Sequence, residues 1–268
     1  MHVETIQSQI SDNFFYAVAD DDGRCLLIDP VDADTAIARV RERGWALEFV
    51  VNTHFHHDHV GGDDAVLDAF EDARLVVGAG DADHIASSVA SPIHRRLDGG
   101  DVVALGELEL DVLDTPGHTP GHISLRLDDL LFSGDTIFVC GAGNCSFGGD
   151  PGVLFLTFRD VLSTLPDEVT FFPGHDYAVR DIEFALSLEP GDERAEELLA
   201  RAKASGGDLF TTTLGEERSY SPFFRFDDEA LAATLRDEHP DVWRDQDMLS
   251  ASSEETVFRT VRALRNHW

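Results

Sequence analysis

Residues 54–59 have the sequence His-Phe-His-His-Asp-His, shortly after the apolar run 49–51 and shortly before Gly61 and Gly62. This places up to five metal-competent side chains in six positions at the end of a predicted strand. Imidazole and carboxylate groups are ligands that suit zinc, iron and manganese. A polar surface loop with incidental histidines is the alternative, but it leaves this density of ligands unexplained. The stretch therefore predicts a metal site at a strand end.

Further candidate ligands follow later in the chain. Each comes after a short β-like run and a small residue or turn, and they are His118, Asp135 and His175. Loops at the strand ends of a rigid scaffold commonly carry chemistry. A lone histidine would usually be structural, but four such sites at strand ends are not explained in that way. The sequence therefore predicts that these side chains meet residues 54–59.

The pattern His-x-His-x-Asp-His, followed by a distant His, an Asp and a last His, resembles the metallo-β-lactamase superfamily. That superfamily also has an early Asp after an apolar strand, which Leu-Ile-Asp-Pro at 27–30 matches with Asp29. The resemblance implies that Asp29 supports the site and is not itself a ligand. It also implies an α/β fold, the αβ/βα sandwich of the superfamily.

Further motifs narrow the resemblance to glyoxalase II, the hydroxyacylglutathione hydrolases. They occupy residues 53–59, 174–177, 213–218 and 221–223, and the family's final Leu/Val-Arg-x-x-Lys/Arg pattern lies at 261–265. The first of these motifs defines only the superfamily, whereas the C-terminal ones indicate this branch. The implied activity is metal-dependent hydrolysis of S-lactoyl (2-hydroxyacyl) esters of a small thiol, as in methylglyoxal detoxification. The products would be the 2-hydroxy acid and the free thiol.

The resemblance implies two divalent metal ions, with zinc expected and iron or manganese as alternatives. One ion is assigned to His54, His56 and His118, and the other to Asp58, His59 and His175. Asp135 is expected to bridge them, and Asp58 and Asp135 are the carboxylates with expected catalytic roles. Two close ions lower the pKa of a shared water and polarise the thioester carbonyl. His57 has no partner in this pattern, and we expect it to be exposed or to support a ligand.

Three side chains are predicted to bind substrate. Arg262 and Arg265 are spaced i, i+3 on one helix face and can bind a peptide carboxylate through paired hydrogen bonds. A solvated basic helix face is the alternative. Tyr177 matches the family's tyrosine beside the last metal histidine, and it is expected to bond the backbone of the thiol. A packed aromatic side chain is the alternative there.

The loop 140–149 departs from the family pattern, which has a basic residue followed by aromatic residues there. Asn144 stands at the position of the cation, and the aromatic is missing or displaced to Phe147. Another small thiol, such as γ-glutamylcysteine, is therefore an alternative to glutathione as the acyl carrier.

The composition is strongly acidic, with a formal net charge of −32 over 268 residues and Lys203 as the single lysine. Self-repulsion at such a charge destabilises the compact state unless salt screens it, and at molar salt the Debye length is about 3 Å. We therefore expect adaptation to a salt-rich cytoplasm. The charge also argues against nucleic acid and anionic membranes as partners.

The cysteine count and the N-terminal sequence indicate an intracellular protein. Cys25, Cys140 and Cys145 cannot all pair as disulfides, which favours a reduced compartment, and the last two are expected to be packing residues. The N-terminus has no basic start and no long apolar run, so we expect neither a signal peptide nor a membrane span.

The apolar pattern changes near residue 178. Mixed strands and helices precede it, whereas 178–188, 192–204, 227–237 and 253–265 have helical spacing and 205–226 is Gly- and Thr-rich. We therefore expect a metal-binding domain over 1–177 and a smaller all-α substrate-binding subdomain over 178–268, with 205–226 irregular. The partner is expected to be the thioester substrate, in a monomer or small homo-oligomer.

Two other classes remain as alternatives. A mononuclear iron persulfide dioxygenase would use a similar ligand list for an oxidoreductase reaction, and the long helical C-terminus favours the hydrolase over it. Lactonases, β-lactamases and RNA-processing nucleases are less favoured, the nucleases because of the acidic charge. A non-catalytic binding protein would be expected to have lost ligands, and no ligand of the pattern is missing.

Overall fold

The computed structural model describes residues 1–268. Its first sheet has six strands in the order β1-β2-β3-β4-β5-β6. They are β1 His2–Gln7, β2 Phe14–Ala19, β3 Arg24–Ile28, β4 Ala46–Asn52, β5 Arg74–Gly78 and β6 Ile93–Leu97. The first three strands pair antiparallel, and β3 to β6 pair parallel.

The second sheet has five strands. A short hairpin of two further strands lies between its fourth and fifth strands in the sequence. The hairpin comprises β11 Ile137–Phe138 and β12 Gly141–Ala142. The sheet strands are β7 Val102–Leu105, β8 Leu108–Asp114, β9 Ile123–Leu127, β10 Leu130–Gly134 and β13 Thr170–Pro173. Their order is β13-β10-β9-β8-β7, with β13 parallel to β10 and the other neighbours antiparallel.

Eleven helices complete the fold. They are α1 Ala33–Arg43, α2 His57–Val60, α3 Asp63–Ala69, α4 Ala82–Ser88, α5 Pro151–Leu156, α6 Ala178–Leu188, α7 Glu193–Ala204, α8 Leu214–Tyr220, α9 Glu229–Glu238, α10 Pro240–Asp247 and α11 Ser253–Arg265. None of them combines the length and the apolar composition that crossing a membrane requires.

The core shows how the layers stack. In β2 the alternate residues Tyr16 and Val18 join a cluster shared by the two sheets, whereas Phe15 and Ala17 join a cluster shared with α1, α3 and α4. Alternation of side chains across a strand produces this division. A third cluster of 28 buried residues packs the outer face of the second sheet against the C-terminal helices. This is the predicted αβ/βα sandwich followed by a helical region.

Local sequence signals set the ends of α1. The Asp32 carboxylate accepts a hydrogen bond from Thr35 N at 3.2 Å and caps the N-terminus. Gly44 ends the helix in the left-handed conformation with φ 68°, where glycine carries no Cβ penalty.

The expectation of an irregular segment over 205–226 is wrong where α8 lies. Thr213 and Glu216 form a reciprocal capping box that begins this helix, and buried Leu214 and Tyr220 attach it to the core. The Gly- and Thr-rich sequence before the helix concealed it. Helix α5 continues as a π turn over Thr157–Val161 and a 3₁₀ turn over Leu162–Thr164. The boundary at residue 177 stays a prediction, and the helices share one core with the second sheet.

Candidate metal centre

The predicted ligands follow the ends of strands in both sheets. Residues 54–59 follow β4, His118 follows β8, Asp135 follows β10 and His175 follows β13. Gly134 adopts φ 48° directly before Asp135, and a Cβ there would collide with Thr53 and His122. Glycine at this position therefore allows the second sheet to bring Asp135 against the histidines of the first.

Three imidazoles form the first cluster. His56 Nδ1 lies 3.1 Å from His54 Nε2 and 2.9 Å from His118 Nε2. On the outer side, His118 Nδ1 faces the carbonyl oxygen of Asn144 at 2.6 Å, and His56 Nε2 faces that of Phe147 at 3.2 Å. Since a carbonyl oxygen only accepts, both outer nitrogens carry the proton, and the inner nitrogens present lone pairs to each other. Burial lowers the pKa of His118 to about 4, so the neutral form persists. Facing lone pairs at this separation fit a cation held between them.

The second cluster combines Asp58, His59 and His175. Asp58 Oδ2 lies 3.3 Å from His175 Nε2 and 3.9 Å from His59 Nε2. His59 Nε2 is buried and has no hydrogen-bond partner. A buried nitrogen without a partner is costly in an apolar environment, so this cluster also fits a metal ion.

Asp135 lies between the two clusters. Its Oδ2 is 3.6 Å from His118 Nε2 and also 3.6 Å from His175 Nε2, and its Oδ1 is 3.4 Å from His59 Nε2. Oδ1 has no hydrogen-bond partner although it is buried. A carboxylate that faces both sets of nitrogens is suited to bridge two cations and to offset their repulsion.

Asp29 supports both clusters from below, as the resemblance implied. Its carboxylate accepts hydrogen bonds from Thr53 Oγ1 at 2.6 Å and from His59 Nδ1 at 2.9 Å. Thr53 Oγ1 in turn lies 3.0 Å from His54 Nδ1. Such contacts to the outer nitrogen fix the orientation of a metal-binding histidine and raise its basicity.

Sequence reasoning did not assign His122, the second histidine of the repeated Thr-Pro-Gly-His at 115–122. It is fully buried, and its Nε2 accepts a hydrogen bond from Asp135 N at 3.1 Å. Its ring also stacks on that of His54 with 4.9 Å between centroids. His122 therefore orients Asp135 and one ligand of the first cluster, His54, and the repeat itself was the available signal. His57 is exposed, as one of its two expected outcomes.

A small cavity opens beside the second cluster. It has a volume of about 190 Å³, and the three predicted substrate-binding residues, Tyr177, Arg262 and Arg265, line it together with Arg180 and Asp181. The Tyr177 ring stacks on His175 with 5.0 Å between centroids, so one face is packed.

Arg262 and Arg265 share a face of α11, but that face is buried, and the alternative of a solvated basic face is wrong. Arg262 Nη1 donates to Ala142 O, and Arg265 Nε donates to Asp181 Oδ1 at 2.5 Å. Burial lowers the pKa of Arg262 to about 10, so it stays cationic at neutral pH.

Two protein-family models together match residues 12–268 of the chain. Residues 12–175 match the model of the metallo-β-lactamase superfamily. Residues 176–268 match the model of the hydroxyacylglutathione hydrolase C-terminus. The αβ/βα fold and the clustered His and Asp side chains thus define a metallo-β-lactamase superfamily protein.

Within that superfamily, the chain belongs to the hydroxyacylglutathione hydrolase family. It is 39% identical to the hydroxyacylglutathione hydrolase of Polaromonas sp. over 96% of this chain and 95% of that protein. The hydroxyacylglutathione hydrolase of Nitrosococcus oceani is also 39% identical, over 96% and 95% of the two chains.

Solved structures support the same fold. ETHE1 from Myxococcus xanthus superimposes with a TM-score of 0.65 at 26% identity, covering 99% of this chain and 98% of that one. TTHA1623 in a di-iron-bound form superimposes with a TM-score of 0.61 at 25% identity, covering 82% and 99%. Membership of the superfamily implies a dinuclear metal site, and the two clusters joined by Asp135 fit such a site.

Proposed function

We propose that this chain is a metal-dependent thioester hydrolase of the glyoxalase II type. Its substrates are S-lactoyl or other 2-hydroxyacyl esters of a small thiol, which water cleaves to the 2-hydroxy acid and the free thiol. The observation that carries the proposal is the pair of ligand clusters that share the Asp135 carboxylate, next to a cationic cavity. Family membership of the whole chain supports it.

The proposed ligands of one ion are His54, His56 and His118, and those of the other are Asp58, His59 and His175, with Asp135 shared. When bound, the two ions lower the pKa of a water and polarise the thioester carbonyl. The donor set of imidazoles and carboxylates suits zinc, with iron or manganese as alternatives.

The chain's own groups set the geometry around that reaction. Asp58 and Asp135 place negative charge between the histidines. Asp29 holds His59 in place through a hydrogen bond, and His122 does the same for Asp135. Tyr177 lies between His175 and the cavity, where its hydroxyl can bond the thiol's backbone. A thiolate is a good leaving group because the pKa of a free thiol is about 8.5.

The cavity beside Tyr177 is the proposed site for the carrier thiol. Arg262 and Arg265 contribute positive charge for a carboxylate of the carrier. Asn144 also lines this cavity, where the family has a cation, and its side-chain oxygen accepts a hydrogen bond from Ser146 N at 2.8 Å. Phe147 is 70% exposed and is absent from the cavity lining. These two departures support a small thiol other than glutathione, such as γ-glutamylcysteine.

We also infer an enzyme of a salt-rich cytoplasm that takes part in methylglyoxal detoxification. The net charge of −32 supports the salt adaptation, and the three free cysteines support a reducing compartment. A monomer or small homo-oligomer without nucleic-acid partners stays a prediction.

The test is a panel of thioesters assayed at molar KCl with the zinc-loaded protein. S-lactoyl-glutathione, S-lactoyl-γ-glutamylcysteine and a simple acyl thioester would be compared by release of free thiol. The proposal expects hydrolysis of the 2-hydroxyacyl esters without oxygen uptake. Oxygen consumption with glutathione persulfide, combined with inert thioesters, would contradict it and favour the persulfide dioxygenase.

A further inference from the structure

Basic side chains are scarce in this protein, and most are engaged by carboxylates. The sequence has 20 Lys and Arg against 52 Asp and Glu. The arginines without an ion pair to a carboxylate within 4 Å are Arg41, Arg74, Arg126, Arg180, Arg236 and Arg262. In so acidic a chain, an arginine free of carboxylates is an exception that calls for a physical reason.

Most of these exceptions have a local explanation. Arg41 and Arg236 lie over the rings of Phe70 and Trp243. Arg74 and Arg126 donate to backbone oxygens of residues within three positions of themselves. Arg262 also lies over a ring, that of Phe223, and Arg180 also donates to a backbone oxygen, but these two arginines differ from the other four in lining the 190 Å³ cavity beside the metal centre.

The lining of that cavity is positively charged in a strongly negative protein. It contains the guanidinium groups of Arg180, Arg262 and Arg265, and one carboxylate, Asp181. Asp181 already accepts a hydrogen bond from Arg265 Nε at 2.5 Å. Arg262 Nε is buried and has no hydrogen-bond partner. A cationic cavity with an unsatisfied buried donor is suited to an anionic ligand.

Arg180 and Arg262 differ in how deeply they are buried, so an anionic ligand could place one negative charge at each of them. Arg262 is buried on α11, whereas Arg180 is exposed on the first turn of α6, three residues after Tyr177. Arg180 also lines a second cavity of about 620 Å³, which Tyr177 borders as well. Its one hydrogen bond is from Nη2 to the backbone oxygen of Trp268 at 3.2 Å, which leaves most of its five donors free.

We propose that Arg180 is a specificity-determining residue that binds a second carboxylate of the acyl carrier. This inference rests on the proposed function and narrows its substrates to thioesters of small thiols with two carboxylates. One carboxylate is bound at Arg262 and Arg265 inside the cavity, and the other at Arg180 near its mouth. Neither the sequence motifs nor the family pattern quoted above includes Arg180.

The test compares three lactoyl thioesters whose carriers have two, one and no carboxylates: glutathione, N-acetylcysteine and N-acetylcysteamine. Each is assayed with the metal-loaded wild type, Arg180→Gln and Arg180→Lys at one fixed, moderate ionic strength. Arg74→Gln is the matched control, since Arg74 is also exposed, unpaired with a carboxylate and bonded to backbone oxygens. For Arg180→Gln we expect KM to rise about two- to fivefold for the two-carboxylate ester with kcat unchanged, because a charge contact at an exposed arginine is weak.

The other two esters and the Arg74→Gln variant should keep the wild-type KM, and Arg180→Lys should recover part of the loss. An unchanged KM for the two-carboxylate ester in Arg180→Gln would overturn the proposal. An equal rise for the one-carboxylate ester would overturn the requirement for two carboxylates.

A binding measurement separates this proposal from the proposed function. Calorimetry with S-methylglutathione, which cannot be hydrolysed, should give a Kd about two- to fivefold higher for Arg180→Gln than for wild type. Inactivity of wild type toward every thioester would refute the hydrolase function alone. Equal affinities of wild type and Arg180→Gln for S-methylglutathione would refute the role of Arg180, whatever the activity.

Discussion

Replacement of the buried Glu217 by glutamine should change how stability depends on pH. The Glu217 carboxylate accepts hydrogen bonds from Cys140 N at 2.9 Å, Thr212 Oγ1 at 2.7 Å and Tyr220 Oη at 3.0 Å. Cys140 adopts φ 54° in the turn between β11 and β12, a costly conformation for a residue with a Cβ. Glu217 therefore ties α8 to the hairpin that borders the cavity.

The magnitude follows from the pKa of Glu217, which burial raises from 4.5 to about 7. The folded state thus binds more protons than the unfolded state between these values, so the stability falls as pH rises from about 4.5 to about 7. At about 1.4 kcal/mol per pH unit, the total amounts to roughly 3 kcal/mol. Glutamine removes this dependence. It also brings an amide NH₂ toward a donor, Cys140 N, at a pH-independent cost of about 1–3 kcal/mol.

The assay is unfolding by urea in molar KCl at pH 5 and pH 8, on wild type and Glu217→Gln. The free energy of unfolding of Glu217→Gln minus that of wild type should increase by about 2.5 kcal/mol from pH 5 to pH 8, because only wild type loses stability over this range. Glu197→Gln, at an exposed position on α7, is the control and should give a flat difference. If the free energy of unfolding of Glu217→Gln differs from that of wild type by the same amount at pH 5 and pH 8, the pKa of Glu217 is not raised in the folded state.

Four further predictions concern the support of the metal ligands, the binding and identity of the carrier thiol, and salt. Asp29→Asn should weaken zinc binding by about ten- to a hundredfold, because it disturbs the carboxylate that accepts hydrogen bonds from His59 and Thr53. Titration with a chelator measures the zinc affinity, and an unchanged affinity would contradict the role of Asp29. Arg262→Ala should raise KM more than it lowers kcat, because a remote carboxylate contact stabilises substrate and transition state alike, with Arg262→Lys as the charge-conserving comparison. S-lactoyl-glutathione should have a lower kcat/KM than the lactoyl ester of another small thiol, such as γ-glutamylcysteine. A clearly higher kcat/KM for the glutathione ester would exclude Asn144 as a specificity determinant. The unfolding midpoint should rise strongly from low to molar KCl, and a flat midpoint would exclude salt adaptation.

Local sequence was sufficient where one segment contains its own signals. The spacing of residues 54–59 identified a ligand cluster without any tertiary information, and Gly44 marked the end of α1. Edge strands were harder to predict. β6 contains Arg95 and Arg96 and follows no apolar alternation, so its pairing with β5 depends on backbone hydrogen bonds that the sequence does not reveal.

Parts of the site depend on contacts between distant segments, which one sequence does not reveal. Asp181 on α6 meets Arg265 on α11 although 84 positions separate them. That contact puts Arg180 at the cavity, yet in sequence Arg180 is one more arginine between acidic residues. Whether the seven predicted ligands hold two ions stays a prediction that rests on their chemistry.

Metal content and activity, measured together, test whether the two ligand clusters hold two ions and whether hydrolysis depends on them. Elemental analysis of the purified, metal-loaded chain and its Asp135→Ala variant would be paired with hydrolysis of a lactoyl thioester at molar KCl. The exposed Asp72→Ala serves as the control. We expect wild type and the control to hold two ions per chain and to hydrolyse the ester. Asp135→Ala should lose at least one ion and most of the activity. One ion per chain in wild type, together with a fully active Asp135→Ala, would contradict it.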